Sequence, residues 1–62
     1  MNAKKLKEEL AKHKITQKEM ANSLGMSEST FRRKVRNDKF GLLDANRMIK
    51  LLHIDKPEDI FF

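Results

Sequence analysis

Glu28, Arg32 and Arg36 stand four residues apart, with Ser29 and Arg33 on one side and Thr30 and Lys34 on the other. On a helix, that spacing stacks Glu28, Arg32 and Arg36 in a single stripe. The chemistry open to such a ridge is recognition by hydrogen bonding. Arginine presents a planar fork that can bond guanine O6 and N7 together, worth about 1–3 kcal/mol of discrimination against a wrong base. Lysine supplies charge without that geometry. A helix with short polar residues near its start and arginines after them suits a DNA major groove, which is about 12 Å wide and admits one helix. The plainer alternative is that Glu28 and Arg32 form a surface ion pair worth a few tenths of a kcal/mol, on a face that is merely solvated.

On this reading Glu28, Ser29, Arg32 and Arg33 are the candidate base-reading residues. Gln17, Ser27, Thr30, Lys34, Arg36, Asn37 and Lys39 are the candidate phosphate contacts, which set register but carry no sequence information. Gln17 opens a predicted helix, where free N–H groups and the helix dipole favour an anion; it could equally be a simple helix former. Ser27 and Thr30 offer hydroxyls, and Ser27 is an N-cap in either case.

Other chemistry finds little support. His13 and His53 fall on different predicted helices with no Cys and no carboxylate cluster at ligand spacing, so exposed, inert side chains are expected, with no metal and no cofactor. Glu8 and Glu9 are adjacent and point different ways on a helix, which makes them a poor catalytic pair. No Gly-rich phosphate loop, nucleophile elbow or triad is present, so the chain does not read as an enzyme. The absence of cysteine rules out disulfide staples. No apolar run approaches the roughly 20 residues of a membrane span, and the start, MNAKKLKEEL, lacks the apolar stretch of a secretory signal. The default expectation is a soluble, cytoplasmic protein.

The net charge is +5, and it is unevenly distributed. Met1 to Gly41 carries eleven Lys/Arg against five Asp/Glu, a balance of +6, while Leu42 to Phe62 carries three against four. A basic surface confined to the first two-thirds of the chain fits a polyanionic partner, although a solvated Lys-rich surface has the same composition.

The elements that must carry the ridge are helices. With 62 residues, two glycines, one proline and 37% charged residues, the chain is expected to form one all-α domain, residues 1–62, of four to five short helices. Ala3, Leu6 and Leu10 predict a first helix over Asn2 to His13. Thr16 and Glu19 fit a capping box that opens a second helix, Gln17 to Leu24, closed by Gly25. Ser27 caps a third, Glu28 to Arg36, whose inner face is Phe31 and Val35. Asn37 to Gly41 reads as a loop. Ala45, Met48, Ile49 and Leu52 mark a fourth helix. Asp55 and Glu58, with Pro57 between them, predict a capped final turn over Glu58 to Phe62. The expected core is Leu6, Leu10, Ile15, Met20, Ala21, Leu24, Phe31, Val35, Met48, Ile49, Leu52 and Ile60.

Two short capped helices joined through Leu24-Gly25-Met26-Ser27 are what a helix-turn-helix requires. The segment resembles the helix-turn-helix of the phage Cro and repressor family, in Gln17, Ala21, Leu24, Gly25, Ser27, Thr30 and Phe31. The resemblance covers most of the chain, since the helix with Met48, Ile49 and Leu52 is similar to the family's fourth and Asp55 to Phe61 to its final turn. It departs at Val35-Arg36-Asn37, where many members carry a Glu-Asn-Gly-like ending, and this bears on the path of the following loop. The resemblance implies a five-helix, lambda-repressor-like fold, dimeric binding to a palindromic DNA operator, and control of transcription. It matches Gln17 to a phosphate-binding position and Glu28, Ser29 and Arg33 to base-reading positions.

A homodimer, whether formed in free solution or only on DNA, would have to use the last third of the chain, where Leu51 and Phe62 fall off the inner stripe and are the candidate interface residues. Two rival readings stay open: a helix-turn-helix-like module that grips another regulator protein through its apolar end, and a non-specific nucleic-acid coat.

Overall fold

A computed structural model describes residues 1–61. The elements in order are α1 (Ala3–Lys12), α2 (Gln17–Ser23), α3 (Glu28–Asn37), α4 (Leu42–Leu52) and a 3-10 turn at Pro57–Asp59. The fold is all-helical, and α2 and α3 are packed directly on one another.

Local chemistry sets most of the boundaries. The Asn2 side chain accepts from the Lys5 N–H at 3.0 Å and starts α1. Thr16 and Glu19 form both bonds of the predicted capping box, each at 3.0 Å, and start α2. Ser27 Oγ accepts from the Thr30 N–H at 3.2 Å and starts α3. In each case an N-terminal donor that no intrahelical carbonyl can reach is satisfied by a side chain. Asn2, His13 and Leu24 are therefore capping residues flanking the helices rather than helical residues.

The helix ends follow a common rule that only one of them advertises in sequence. Lys14, Gly25, Asp38 and His53 all adopt positive φ, at 56°, 74°, 54° and 51°. After each, the next residue donates back across the turn. Ile15 bonds the Leu10 carbonyl at 2.9 Å, Met26 that of Ala21 at 3.0 Å, Lys39 that of Lys34 at 3.0 Å and Ile54 that of Ile49 at 3.1 Å. This is the Schellman closure, in which one left-handed residue lets the chain satisfy the last carbonyls. It shortens the expected loop: α3 runs one residue past Arg36, through Asn37, and Asp38 ends it. Gly41 has φ −78° and is instead the N-cap of α4.

The core holds Leu6, Leu10, Met20, Ala21, Leu24, Phe31, Val35, Met48, Leu52 and Ile60, with Ala45 buried beside Met48. Two expected members are displaced. Ile15 and Ile49 are half-buried. Ile15 packs on the rim as the residue that closes α1, while α4 turns Ala45, Met48 and Leu52 inward at i, i+3 and i+7 and leaves Ile49 on the flank. Phe31, completely buried, meets the half-buried Phe40 ring at 5.4 Å with a 57° tilt, a separation within the range of favourable aromatic pairs. The Asn2 N–H donates to the Ile60 carbonyl at 2.6 Å, tying the start of α1 to the final turn. That turn is shorter than expected and lacks its cap. Lys56, not Asp55, precedes it, with no side-chain cap bond, and Pro57 enters at the first position, where its missing N–H costs nothing.

Candidate nucleic-acid interface

Two short helices held at fixed starts and joined by a tight turn present one exposed face. Gly25, at φ 74°, reverses the chain after α2, and two residues later Ser27 opens α3. Ala21, completely buried, lets the helices approach. The capping box also shapes the charge at the start of α2. The Thr16 backbone N–H, and after it the Thr16 hydroxyl, stabilises the ionised Glu19 carboxylate and holds its pKa below the ordinary glutamate value.

Phe31 and Val35 take the inner face of α3, and the outer face then carries Ser29, Arg32, Arg33 and Arg36, all exposed. Glu28 is half-buried beside them. Its carboxylate meets Arg32 Nη2 at 2.8 Å, so the stripe read from the four-residue spacing exists as an ion pair. Arg32 makes a second contact that spacing alone does not reveal: its Nε donates to Gln17 Oε1 on α2 at 3.1 Å. One guanidinium thus bridges the two helices and takes up the Gln17 carbonyl oxygen, which leaves the Gln17 amide hydrogens available. Arg33 has no hydrogen bond or ion pair among the described residues.

The other expected phosphate contacts are dispersed. Ser27 is committed to its own cap, accepting from the Thr30 N–H and donating to Thr30 Oγ1 at 2.9 Å, with Ser29 Oγ 3.3 Å away. Thr30 is half-buried and Arg36, Asn37 and Lys39 are exposed. Lys34 turns toward α4, its Nζ lying 3.8 Å from Asp44 Oδ2. Asp38 draws positive charge to the end of α3: the amino group of Met1 sits 3.0 Å from its carboxylate.

Among the described residues, the exposed large apolar side chains are Leu42, Leu43 and Leu51. Leu51, named from sequence as an interface residue, lies on the outer side of α4; Phe62, named with it, is outside the described residues. His13 is half-buried rather than exposed, because its Nε2 lies 3.7 Å from Glu9 and its ring 6.4 Å from that of His53. Among the described residues no group of three His, Cys, Asp or Glu side chains could hold a metal ion, and no helix is long and apolar enough to cross a membrane.

A family model described as the Cro/C1-type HTH DNA-binding domain matches residues 5–61, from the first turns of α1 to the end of the terminal turn. No curated protein and no solved structure matches the chain. The match spans nearly the whole chain and takes in the capped helices α2 and α3, Gly25 and the outward basic face described above. The chain belongs to the Cro/C1-type helix-turn-helix DNA-binding domains and is a DNA-binding transcriptional regulator.

Proposed function

We propose that the protein is a sequence-specific repressor of the Cro type, from a phage or prophage, that binds a palindromic operator as a homodimer by laying α3 in the major groove. The observation that carries this reading is the outer face of α3, where Ser29, Arg32, Arg33 and Arg36 are all exposed on a helix fixed at its start by Ser27. In this arrangement Glu28, Ser29, Arg32 and Arg33 read base edges. Arg33 is suited to a bidentate bond to guanine, and Glu28 to accepting from cytosine N4. Gln17, Ser27, Thr30, Lys34, Arg36, Asn37 and Lys39 face the phosphates on either side and fix the register.

The dimer follows from the target. Recognition helices of a two-fold pair must sit about 34 Å apart, one turn of DNA. The protein measures 26 × 23 × 19 Å, so two copies side by side can reach successive turns of one face of the duplex. Leu51 and Phe62 contribute to the contact between them. So small a patch leaves little free energy after the cost of association, and the pair forms on the operator.

Selection of bound sites from random duplex DNA tests the proposal. The expected outcome is one enriched motif with two-fold symmetry and half-sites about 10–10.5 base pairs apart. Recovery of no preferred sequence, with binding that depends on salt alone, would leave a non-specific coat and overturn it.

A further inference from the structure

Three of the four lysines of α1 line one or other of two grooves of opposite character. Lys5 and Lys12 line a groove of about 390 Å³ together with Glu8, Glu9, Asp55 and Asp59, where their charge is met by carboxylates. Lys7 lines a different groove, of about 450 Å³, between α1 and the α2–α3 pair; its other charged or amide lining groups are Gln17, Arg32 and Arg36. Among the described residues no acidic side chain lines that second groove, and Ala3 and Val35 form its apolar floor.

Three cations converging on one groove repel each other in the free protein, so the groove favours an anion. Glu28 offsets part of this charge from outside, through Arg32 Nη2, but nothing offsets Lys7 or Arg36 among the described residues. The groove is also continuous with the proposed interface, because Gln17, Arg32 and Arg36 belong to both.

We propose that Lys7 is a DNA-contacting residue outside the helix-turn-helix, and that its groove receives a backbone phosphodiester of the strand flanking the α3 site. The proposal rests on the reading of α3 as the helix that enters the major groove. It widens the footprint from two helices to three and makes α1 a second wall against the same strand. A contact of this kind adds affinity without choosing sequence.

The test compares Lys7→Gln with Lys5→Gln, a control on the same helix that faces the acidic groove. Binding is measured across a salt series on the selected operator and on random duplex. Lys7→Gln is expected to weaken both duplexes by a similar factor, about five- to tenfold near 0.1 M salt, and to lower the slope of log affinity against log salt by about one. Lys5→Gln is expected to change affinity less than twofold. Both variants alter exposed side chains, and an unchanged melting temperature confirms that they fold. If the wild type selects a site while Lys7→Gln keeps its salt slope, this inference fails and the repressor reading stands. If the wild type selects nothing but Lys7→Gln still flattens the slope, the phosphate site stands without the repressor. Inorganic phosphate distinguishes a free anion from DNA: loss of phosphate binding in Lys7→Gln with the duplex slope intact would overturn the proposal.

Discussion

The four left-handed helix ends all favour glycine, yet three of them carry a side chain, and substitutions at Lys14 and Gly25 measure the difference. Lys14 holds φ 56° and Gly25 holds φ 74°, each closing a helix in the same hydrogen-bonded pattern. An L-residue in this conformation brings Cβ against the following carbonyl at a cost of about 1–2 kcal/mol, which glycine avoids. Glycine in turn gains unfolded-chain entropy of about 0.4–1 kcal/mol. A Cβ added at Gly25 meets nothing within 4 Å, so no clash adds to the backbone term. The balance spans about 0–1.6 kcal/mol in favour of glycine at both positions, centred near 0.8 kcal/mol. In a domain of this size that centre corresponds to about 3–6 °C in melting temperature.

Loss of the Lys14 charge near the end of α1 also changes the helix-dipole interaction, so the comparison is made between Lys14→Gly and Lys14→Ala, which lack the charge alike. Thermal unfolding followed by circular dichroism is expected to rank Lys14→Gly above Lys14→Ala, and Gly25→Ala below the wild type, by similar amounts. Equal melting temperatures for the two Lys14 variants, or a Gly25→Ala protein as stable as the wild type, would refute the argument that these ends store backbone strain.

Other outcomes follow from the interface. Arg33→Ala is expected to relax preference at one base position, by about 1–3 kcal/mol at that position, whereas Lys39→Ala should weaken all sequences alike and lower the salt slope by about one; identical profiles in a selection experiment would erase the division between reading and positioning residues. Leu51→Ser should reduce cooperative binding to a two-fold site while leaving single half-site affinity intact, and unchanged sedimentation and cooperativity would remove Leu51 from the dimer contact. Glu19, whose folded pKa is lowered by the Thr16 bonds, contributes stability that is full above its unfolded pKa and is lost as pH falls through the lowered folded value. Glu19→Gln should therefore flatten the acid side of the stability–pH curve, and a curve superimposable on the wild type would show that the charged capping bond adds nothing.

The parts of the fold that were legible are those whose signals lie within four residues. A hydroxyl or amide before an apolar repeat, a Glu three residues after a Thr, and a glycine between two capped segments each name a local hydrogen bond. The unread helix ends share the same geometry without the glycine. Lys14 carries no residue-type signature for positive φ, and Asp38 and His53 carry only the weak one that Asp and His tolerate that region better than most side chains. A weaker signal existed at two of these ends: Ile15 and Ile54, the residues immediately after the turn, are apolar and pack against the core, as the closing residue of a Schellman motif commonly does. Ile49 was misplaced for a related reason. Ile49 and Ala45 both fit the helical period, but only the way α4 packs on the rest of the core decides which turns inward, and that is a tertiary fact.

The candidate site divides along the same line. The Glu28–Arg32 pair is a property of one helix and was readable from spacing; the Arg32–Gln17 bond spans fifteen residues and exists because α2 and α3 cross. It changes the relative standing of two neighbouring arginines. Arg32 enters any complex with its Nε and one terminal nitrogen already engaged, so direct base contact by Arg32 requires exchange of existing bonds. Those bonds are solvent-exposed and individually weak, so the exchange is feasible at small cost. Arg33 has no such bonds to give up among the described residues. On the proposed reading both arginines reach base edges, Arg33 directly and Arg32 by exchanging its bonds to Glu28 and Gln17, which makes Arg33 the better placed of the two for a bidentate contact.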